Sequence, residues 1–481
     1  MKSPLGTYTK TQYDVDNAEE VSPKGLPVRS LVCDASTPTK FIQTETEYTA
    51  DRNYTAAQHD ARGKTVTTVT DTNKGTTVSV TDPNGQTVQY AYDTMRRNTE
   101  VRTETGESSE RQVYLNTYGY TNDKLTKIAH NTDSGTIPEE GTAGDTSVRY
   151  HFGYDDAGRE TTVKVGLTES AAQTLSENEY NRDGTLNRVI YGNGSSVRYD
   201  YDAFKRVTGI CFDSETEERY SFEFLSGGQT GRVYDRLLHR VATSAYDTSE
   251  RPVSITYLEN AQDTEGGFDV NTGDHLYTGA VSYNGQNSIS EFSEKIGQEK
   301  KAYATNFTYD NEGRPTVLKY GDDTHKVNYT YDKLGRITKR KVTNSGALTT
   351  DYSYLEGGYP DSATVNKSTT SLISGISQGN ETFTYTYDDV GNIMTVTRGT
   401  GTDAKTTTYE YDSLGQLIRV NDPHDVSDAG NGATWTYGYD CGGIVLKNSR
   451  VPEGTWVKAG EVFSRTKREL QSENLTETLI L

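Results

Sequence analysis

A tyrosine followed by Asp or Asn, and in most copies by Gly three residues further on, returns ten or more times along this chain, and the best-preserved copies stand about 22 residues apart. The sharpest are Tyr154-Asp155-x-x-Gly158-Arg159, Tyr309-Asp310-x-x-Gly313-Arg314 and Tyr331-Asp332-x-x-Gly335-Arg336. Variants stand at Tyr92-Asp93, Tyr180-Asn181-x-x-Gly184, Tyr201-Asp202, Tyr246-Asp247, Tyr387-Asp388-x-x-Gly391, Tyr411-Asp412-x-x-Gly415 and Tyr439-Asp440-x-x-Gly443. A fixed period means one supersecondary unit stacked on its own neighbours. The chain is thereby committed to a repeat architecture before any chemistry is considered.

Each unit reads as a β-hairpin. Alternating residues such as Tyr329-Thr330-Tyr331 enter a turn, and a second alternating run, Ile337-Thr338-Lys339-Arg340-Lys341-Val342, leaves it. Tyr and Thr at period two fit a pleated sheet. At the turn, Asp accepts from backbone N–H groups ahead of it and Gly takes the left-handed conformation of a tight hairpin, so both signature residues have a structural task without any ligand. Glycine-bearing stretches such as Tyr191-Gly192-Asn193-Gly194 and Tyr320-Gly321-Asp322-Asp323 make the return turn, leaving strands of roughly 6–8 residues.

The spacings hold across the chain. Asp60 to Asp82, in degenerate turns, is 22 residues, Asp310 to Asp332 is 22, Asp202 to Asp247 is 45, close to two periods, and Asp247 to Asp310 is 63, near three. Residues 131–147 and 259–275 are polar and glycine-bearing and read as extended hairpin tips. Counting degenerate copies, there are on the order of 15 to 18 units. The expected fold is all-β: consecutive antiparallel hairpins forming a twisted, curved sheet.

Only 32% of the 481 residues are hydrophobic, and Tyr outnumbers Phe by 35 to 11. Tyrosines at i and i+2, such as Tyr199 and Tyr201, are expected to stack in columns across the sheet with their hydroxyls wet. A net charge of −20 argues against non-specific nucleic-acid binding, and three cysteines are too few for a disulfide framework or a thiolate metal cluster. No apolar run approaches the ~20 residues of a membrane-spanning helix, and the N-terminus opens no signal peptide.

No constellation of catalytic residues stands out. The seven histidines are spread singly, Gly-x-Ser-x-Gly is absent, and Gly141-Thr142-Ala143-Gly144 lacks the Lys-Ser/Thr of a phosphate loop. The oxygen-rich stretch Asn421 to Asp428 lacks the spacing of a calcium loop and reads as a solvated acidic loop. Paired carboxylates such as Asp155-Asp156 arise by chance in so acidic a chain. Catalytic, cofactor and metal residues are therefore assigned to none, and the signature residues are assigned to structural turns.

The Tyr-Asp-x-x-Gly-Arg pattern, followed by alternation and a return glycine, resembles the YD repeats of RHS proteins over roughly residues 50 to 445. That family includes bacterial polymorphic toxins, wall-associated proteins and teneurins. The resemblance implies a hollow β-shell or open spiral, and in the toxins a shell enclosing a C-terminal toxic domain. This chain departs from those toxins in lacking their Asp-Pro-x-Gly-rich core: Asp82-Pro83-Asn84-Gly85 fits the repeat as an ordinary turn, and Asp422-Pro423-His424 lacks the glycine.

The expected organisation is an N-terminal irregular or degenerate-repeat segment, 1–50, a repeat shell, 51–445, and a non-repeat tail, 446–481, read as the mark of truncation or a frame change. The implied function is a non-enzymatic scaffold of a secreted or surface-displayed protein that encapsulates and delivers a toxin in bacterial competition, the toxin domain being absent from this chain. Two other readings are a carbohydrate-binding surface adhesin, in which tyrosines hold sugar rings, and a hydrolase with a site assembled across repeats. An open sheet would leave edge strands prone to self-association.

Overall fold

The computed structural model describes residues 6–452 apart from 17–23, 35–39, 106–111, 132–135, 141, 143, 146, 214–217, 265–266, 270–272, 298–302, 322–323, 345, 360–366, 413, 425–431 and 440–444. Asp440, Cys441 and Gly443, most of the acidic loop after His424, and the tail from 453 lie outside the described residues.

Thirty-six strands run through the described residues, from β1 (Tyr8–Tyr13) to β36 (Val445–Pro452), with three short 3-10 turns and no α-helix. Thirty-four of them form one sheet, two strands to each of seventeen hairpins, and each strand pairs antiparallel with the next. The pairing of β27 (Lys326–Tyr331) with β28 (Ile337–Thr343) is typical: Val327 faces Val342, Tyr329 faces Arg340, and the register shifts by one residue at Tyr331. The same shift recurs at Tyr154, Tyr309, Tyr387 and Tyr411. An extra residue beside the turn is a β-bulge, which increases the local twist and bends the sheet.

Residues 1–50 contribute β1, β2 (Pro27–Cys33) and β3 (Lys40–Tyr48) to this ladder, and β36 extends it to Pro452. The 259–275 tip lies between β20 (Pro252–Glu259) and β23 (Asp274–Tyr283), which pair directly; inside it β21 (Gln262–Thr264) and β22 (Gly267–Asp269) make a separate small hairpin. One count changes as a result. The interval from Asp247 to Asp310 holds two periods rather than three, because a turn at Asn284 to Ser288 divides it and the inserted hairpin supplies the excess length.

The meander closes on itself. β3 meets β30 (Lys367–Gln378) in a short parallel pairing, Lys40 with Lys367 and Phe41 with Ser368, making a ring of twenty-six strands. Past β30, the turn joining β31 (Glu381–Tyr387) to β32 (Ile393–Arg398) comes to rest against the turn joining β4 (Thr55–His59) to β5 (Thr65–Asp71). Thr7, ahead of β1, likewise donates to the Lys333 carbonyl in the β27–β28 turn. The sheet is thus a spiral whose second winding sits on its first.

Because every hairpin reverses the chain, turns alternate between two rims. The turns at Asp93, Asp155, Asp202, Asp310, Asp332, Asp388 and Asp412 share one rim. Those at Asp60 and Asp82 belong to the opposite, return rim, so the 22-residue interval between them measures the same period from the other side. Fully buried apolar residues are few. The one cluster among the described residues is Tyr234, Val241 and Ala261, packed with Leu258 where the 259–275 tip folds back. Cross-strand pairs and turn chemistry, rather than a deep core, carry the stability.

Candidate functional site

The repeated turn is the most elaborated local structure in the chain. In the β27–β28 turn, the Gly335 N–H donates to the Asp332 carbonyl (3.1 Å) and the Asp332 N–H to the Arg336 carbonyl (2.9 Å). Asp332 Oδ1 accepts the N–H groups of Leu334 (2.9 Å) and Arg336 (3.0 Å). Gly335 has φ +86°, a conformation that costs an L-residue roughly 1–2 kcal/mol. The same arrangement recurs at Asp155, where Ala157 and Arg159 donate to Oδ1 and Gly158 has φ +77°, and at Asp310 with Gly313 at φ +77°. Asp388 accepts from Gly391 and Asn392, and Asp412 from Leu414 and Gln416.

The motif arginine links one repeat to the next. Arg336 Nε donates to Asp332 Oδ2 (2.8 Å), and its guanidinium lies 4.2 Å from the centre of the Tyr354 ring. Arg159 covers Tyr180 at 4.5 Å and Arg314 covers Tyr331 at 4.6 Å. The motif tyrosines also point backwards. The Tyr331 hydroxyl donates to the Pro315 carbonyl (2.8 Å), Tyr154 to Leu125 (2.8 Å), Tyr309 to Ile289 (2.6 Å), Tyr387 to Ile373 (2.7 Å) and Tyr411 to Ile393 (3.0 Å). These motif hydroxyls are therefore bonded to main-chain carbonyls, and their rings are not stacked ring on ring. A guanidinium lies over the rings of Tyr180, Tyr331 and Tyr354 and the Lys124 ammonium near that of Tyr154, while a main-chain carbonyl beside the preceding bulge accepts each of these five hydroxyls.

The electrostatics of the turns differ with their partners. At Asp155, the Arg159 N–H and then its guanidinium hold the carboxyl below its ordinary range against burial. At Asp412, where Gln416 replaces the arginine, burial pushes the carboxyl up and the N–H groups of Gln416 and Leu414 offset this only in part. The glycine is replaceable too: Arg96, Lys205, Glu250 and Asn287 occupy its place at φ 63°, 63°, 61° and 64°. The turns at Asn284 and Leu225 keep the same two main-chain hydrogen bonds without an aspartate, Asn284 Oδ1 accepting as the carboxylate does. The first is a Tyr-Asn copy, Tyr283-Asn284, missed because its glycine is out of place; the second has only Phe224, an aromatic standing one residue earlier, as its signal.

The windings meet at a seam built around Arg62. Its Nε donates to Asp60 Oδ2 in its own turn (2.9 Å), while its terminal nitrogens donate to the carbonyls of Asp388 (2.6 Å) and Asp389 across the seam. Lys64 pairs with Asp389 (2.7 Å), Asn84 Nδ2 donates to Asp388 Oδ2 (3.2 Å), and the Tyr359 hydroxyl donates to the Asp60 carbonyl (3.1 Å). The Gly358 N–H donates to the Ala61 carbonyl (3.0 Å), and a Cβ at Gly358 would overlap the Arg62 carbonyl oxygen. A cavity of about 460 Å³ opens here, lined in part by Glu45, His59, Asp60 and Lys64. These groups are already engaged: Glu45 with Arg29, His59 with Thr65 and Glu47, Asp60 with Arg62 and Lys64 with Asp389.

On the face opposite the motif tyrosines, Pro138, Glu140 and Asp145 lie against β10 (Lys124–His130) and β11 (Val148–Tyr154), which pairs in turn with β12 (Glu160–Val165). Glu140 pairs with Lys127, and Asp145 with the buried Arg149. Cys33 and Cys211 are buried thiols that form no disulfide. Among the described residues, no group of three or more His, Cys, Asp or Glu is arranged to hold a metal ion, and no helix is long and apolar enough to cross a membrane.

The family model described as RHS Repeat matches residues 387–426. Two crystal structures share the fold. TcdB2-TccC3-TEV is 14% identical, with 93% of this chain and 25% of that chain covered and a TM-score of 0.55. TcdB2-TccC3-Cdc42 is 14% identical, with 94% and 25% covered and a TM-score of 0.54. At that identity the likeness concerns the fold alone, and this chain spans about a quarter of the length of each. No curated protein matches the sequence.

Proposed function

We propose that this chain, a member of the RHS/YD-repeat family, is a wall segment of a secreted protein whose shell encloses and delivers a toxin carried C-terminally. The observation that carries this reading is the closed ring: β3 meets β30, and the next winding is clamped to the first through Arg62. A continuous wall held turn to turn is suited to separating an interior from its surroundings. Every signature Asp, Gly and Arg seen at the turns is engaged in holding that wall, which favours a structural over a catalytic role. A role in competition between bacteria and display at the cell surface belong to the same reading.

Nothing specific favours the carbohydrate-binding alternative, and at Tyr180, Tyr331 and Tyr354 arginine covers the ring face on which a sugar would stack. The outer edges of β1 and β36 pair with no further strand among the described residues, and in a longer protein they would continue the spiral.

The test is protection. A small protease-sensitive domain fused after Leu481 is expected to survive protease in the intact chain and to be cut in an Arg62→Ala variant, while cryo-electron microscopy shows a hollow particle. A collapsed particle with no interior, or equal cleavage in both proteins, would overturn the reading.

A further inference from the structure

Asparagine is followed by glycine at Asn84-Gly85, Asn193-Gly194, Asn284-Gly285 and Asn431-Gly432, and the first of these pairs lies at the seam; Asn431 is outside the described residues. This is the dipeptide in which the main chain most readily attacks its own side chain. Glycine has no Cβ and a wide choice of φ and ψ, so its nitrogen can swing onto the asparagine Cγ. Asn84 and Gly85 are both exposed, in the return turn that joins β6 (Thr76–Thr81) to β7 (Thr87–Tyr92). No heavy atom lies within 4 Å of the place a Cβ on Gly85 would take, so the turn has room to rearrange. One bond has to open first, from the Gly85 N–H to the Asp82 carbonyl (3.0 Å).

The destination of its amide sets Asn84 apart. Asn193 and Asn284 use Oδ1 inside their own turns, accepting the N–H of Ser195 and those of Gln286 and Ser288. In the Asn84 turn that task belongs to Asp82, whose Oδ1 accepts the Gln86 N–H (2.8 Å), and Asn84 Nδ2 donates across the seam to Asp388 Oδ2 (3.2 Å). Burial opposes the charge on Asp388, and the N–H groups of Gly391 and Asn392, then the amides of Asn392 and Asn84, hold its carboxyl below the ordinary range. A carboxylate at position 84 would withdraw one of these donors and set like charge against like charge.

We infer that Asn84 is a site of spontaneous deamidation, and that its conversion loosens the seam between the windings. The main-chain nitrogen of Gly85 gives up its proton to solvent and bonds to Asn84 Cγ. The Cγ–Nδ2 bond breaks, and the side-chain nitrogen takes up a proton and leaves as ammonia. Water then opens the cyclic imide on one side or the other, giving aspartate or isoaspartate; the sequence is a hydrolysis and changes no oxidation state. The product turns a donor to Asp388 into a carboxylate facing it, and isoaspartate also lengthens the main chain of the turn that carries it. Lys64 on Asp389 and Arg62 on the Asp388 and Asp389 carbonyls remain, so the windings are weakened at one point and not severed. The inference rests on the seam alone and does not depend on the shell enclosing a toxin.

The experiment ages the full chain in mildly alkaline buffer for the time in which half of a synthetic peptide of residues 79–90 deamidates. Peptide mapping by mass spectrometry follows position 84, and hydrogen exchange of the Gly358 amide, which donates to Ala61 across the seam, follows the windings. Aspartate and isoaspartate are expected at position 84 of the aged chain, with faster exchange at Gly358 than in fresh protein. Fresh Asn84→Asp should exchange about three- to tenfold faster than the natural protein, and the difference should shrink as salt is added. Asn84→Gln keeps an amide but cyclises far more slowly, so ageing should leave its Gly358 exchange unchanged. Asn193→Asp, in a return turn away from the seam, should match the natural protein. An unmodified Asn84 after ageing, equal Gly358 exchange in Asn84→Asp and the natural protein, or the same acceleration on ageing in Asn84→Gln would overturn the inference.

Discussion

The guanidinium carbon of Arg336 lies 4.2 Å from the centre of the Tyr354 ring, and the two residues belong to successive repeats. Arg336 is also the most buried of the motif arginines, and its Nη1 donates to Thr369 Oγ1 (3.0 Å) as well as to the Thr370 carbonyl. One side chain therefore ties a turn, the next strand and the region of ring closure together.

Truncating it is expected to cost about 1–3 kcal/mol, because Asp332 would keep its partly buried charge while losing its partner. In Arg336→Ala, hydrogen exchange at the Leu334 and Arg336 amides should accelerate, with a smaller effect at the distant Asp155 turn. Arg336→Lys should recover less than half of the loss, since an ammonium has no planar face to lay on Tyr354. Unchanged exchange in the alanine variant would contradict the linkage.

The turn at Asp412 offers the converse experiment. Burial raises this carboxyl, so its neutral form is favoured in the fold, and that contribution is present at low pH and lost as pH rises through the folded pKa. Gln416→Arg restores the missing partner and is expected to stabilise by about 0.5–1 kcal/mol near pH 7. Thermal unfolding at neutral pH and at about pH 3 should show the gain only at the former. A gain of equal size at both would rule out charge pairing as its source.

Acid should loosen the contact of Asp145 with Arg149. The Arg149 guanidinium and then the Ser147 hydroxyl hold Asp145 at about 2, against the opposing effect of burial. A depressed folded pKa contributes stability that is present above the unfolded value of about 3.9 and lost as pH falls toward about 2. Thermal unfolding between about pH 5 and about pH 2 should therefore show a steeper loss in the natural protein than in Asp145→Asn. Parallel curves for the two would refute it.

The seam should respond to single changes on either side. Arg62→Ala removes two donors to main-chain carbonyls, and Gly358→Ala forces a methyl group onto the Arg62 carbonyl. Each is expected to speed exchange of the Gly358 amide at least about tenfold while the β27–β28 ladder keeps its protection. Loss of protection throughout the chain would instead mean that the windings unfold as one unit.

What could be read from the residues was whatever is local. Asp332 and Gly335 announce their turn because the bonds they make lie within five residues, and alternation in β27 and β28 fixes which side chains share a face. The Arg336–Tyr354 contact was hidden because it joins two repeats, although a basic residue at a constant offset from the tyrosine was its trace. The pairing of Lys40 with Lys367 and the reach of Arg62 to Asp388 left no trace, because nothing in a periodic pattern says after how many strands the curvature returns to its start. Nor does the spacing of Asp60 and Asp82 tell which rim they occupy, because both ends of a hairpin use the same aspartate chemistry.

Because almost every strand pairs with its immediate neighbour in sequence, the wall can be laid down progressively as the polypeptide leaves the ribosome, each new hairpin templated by the one before. The meeting of β3 with β30 and the seam contacts around Arg62 and Thr7 have to wait for a distant part of the chain. Maturation would then end with a single late closure, and pulse-labelled exchange should find the amides around Gly358 protected last.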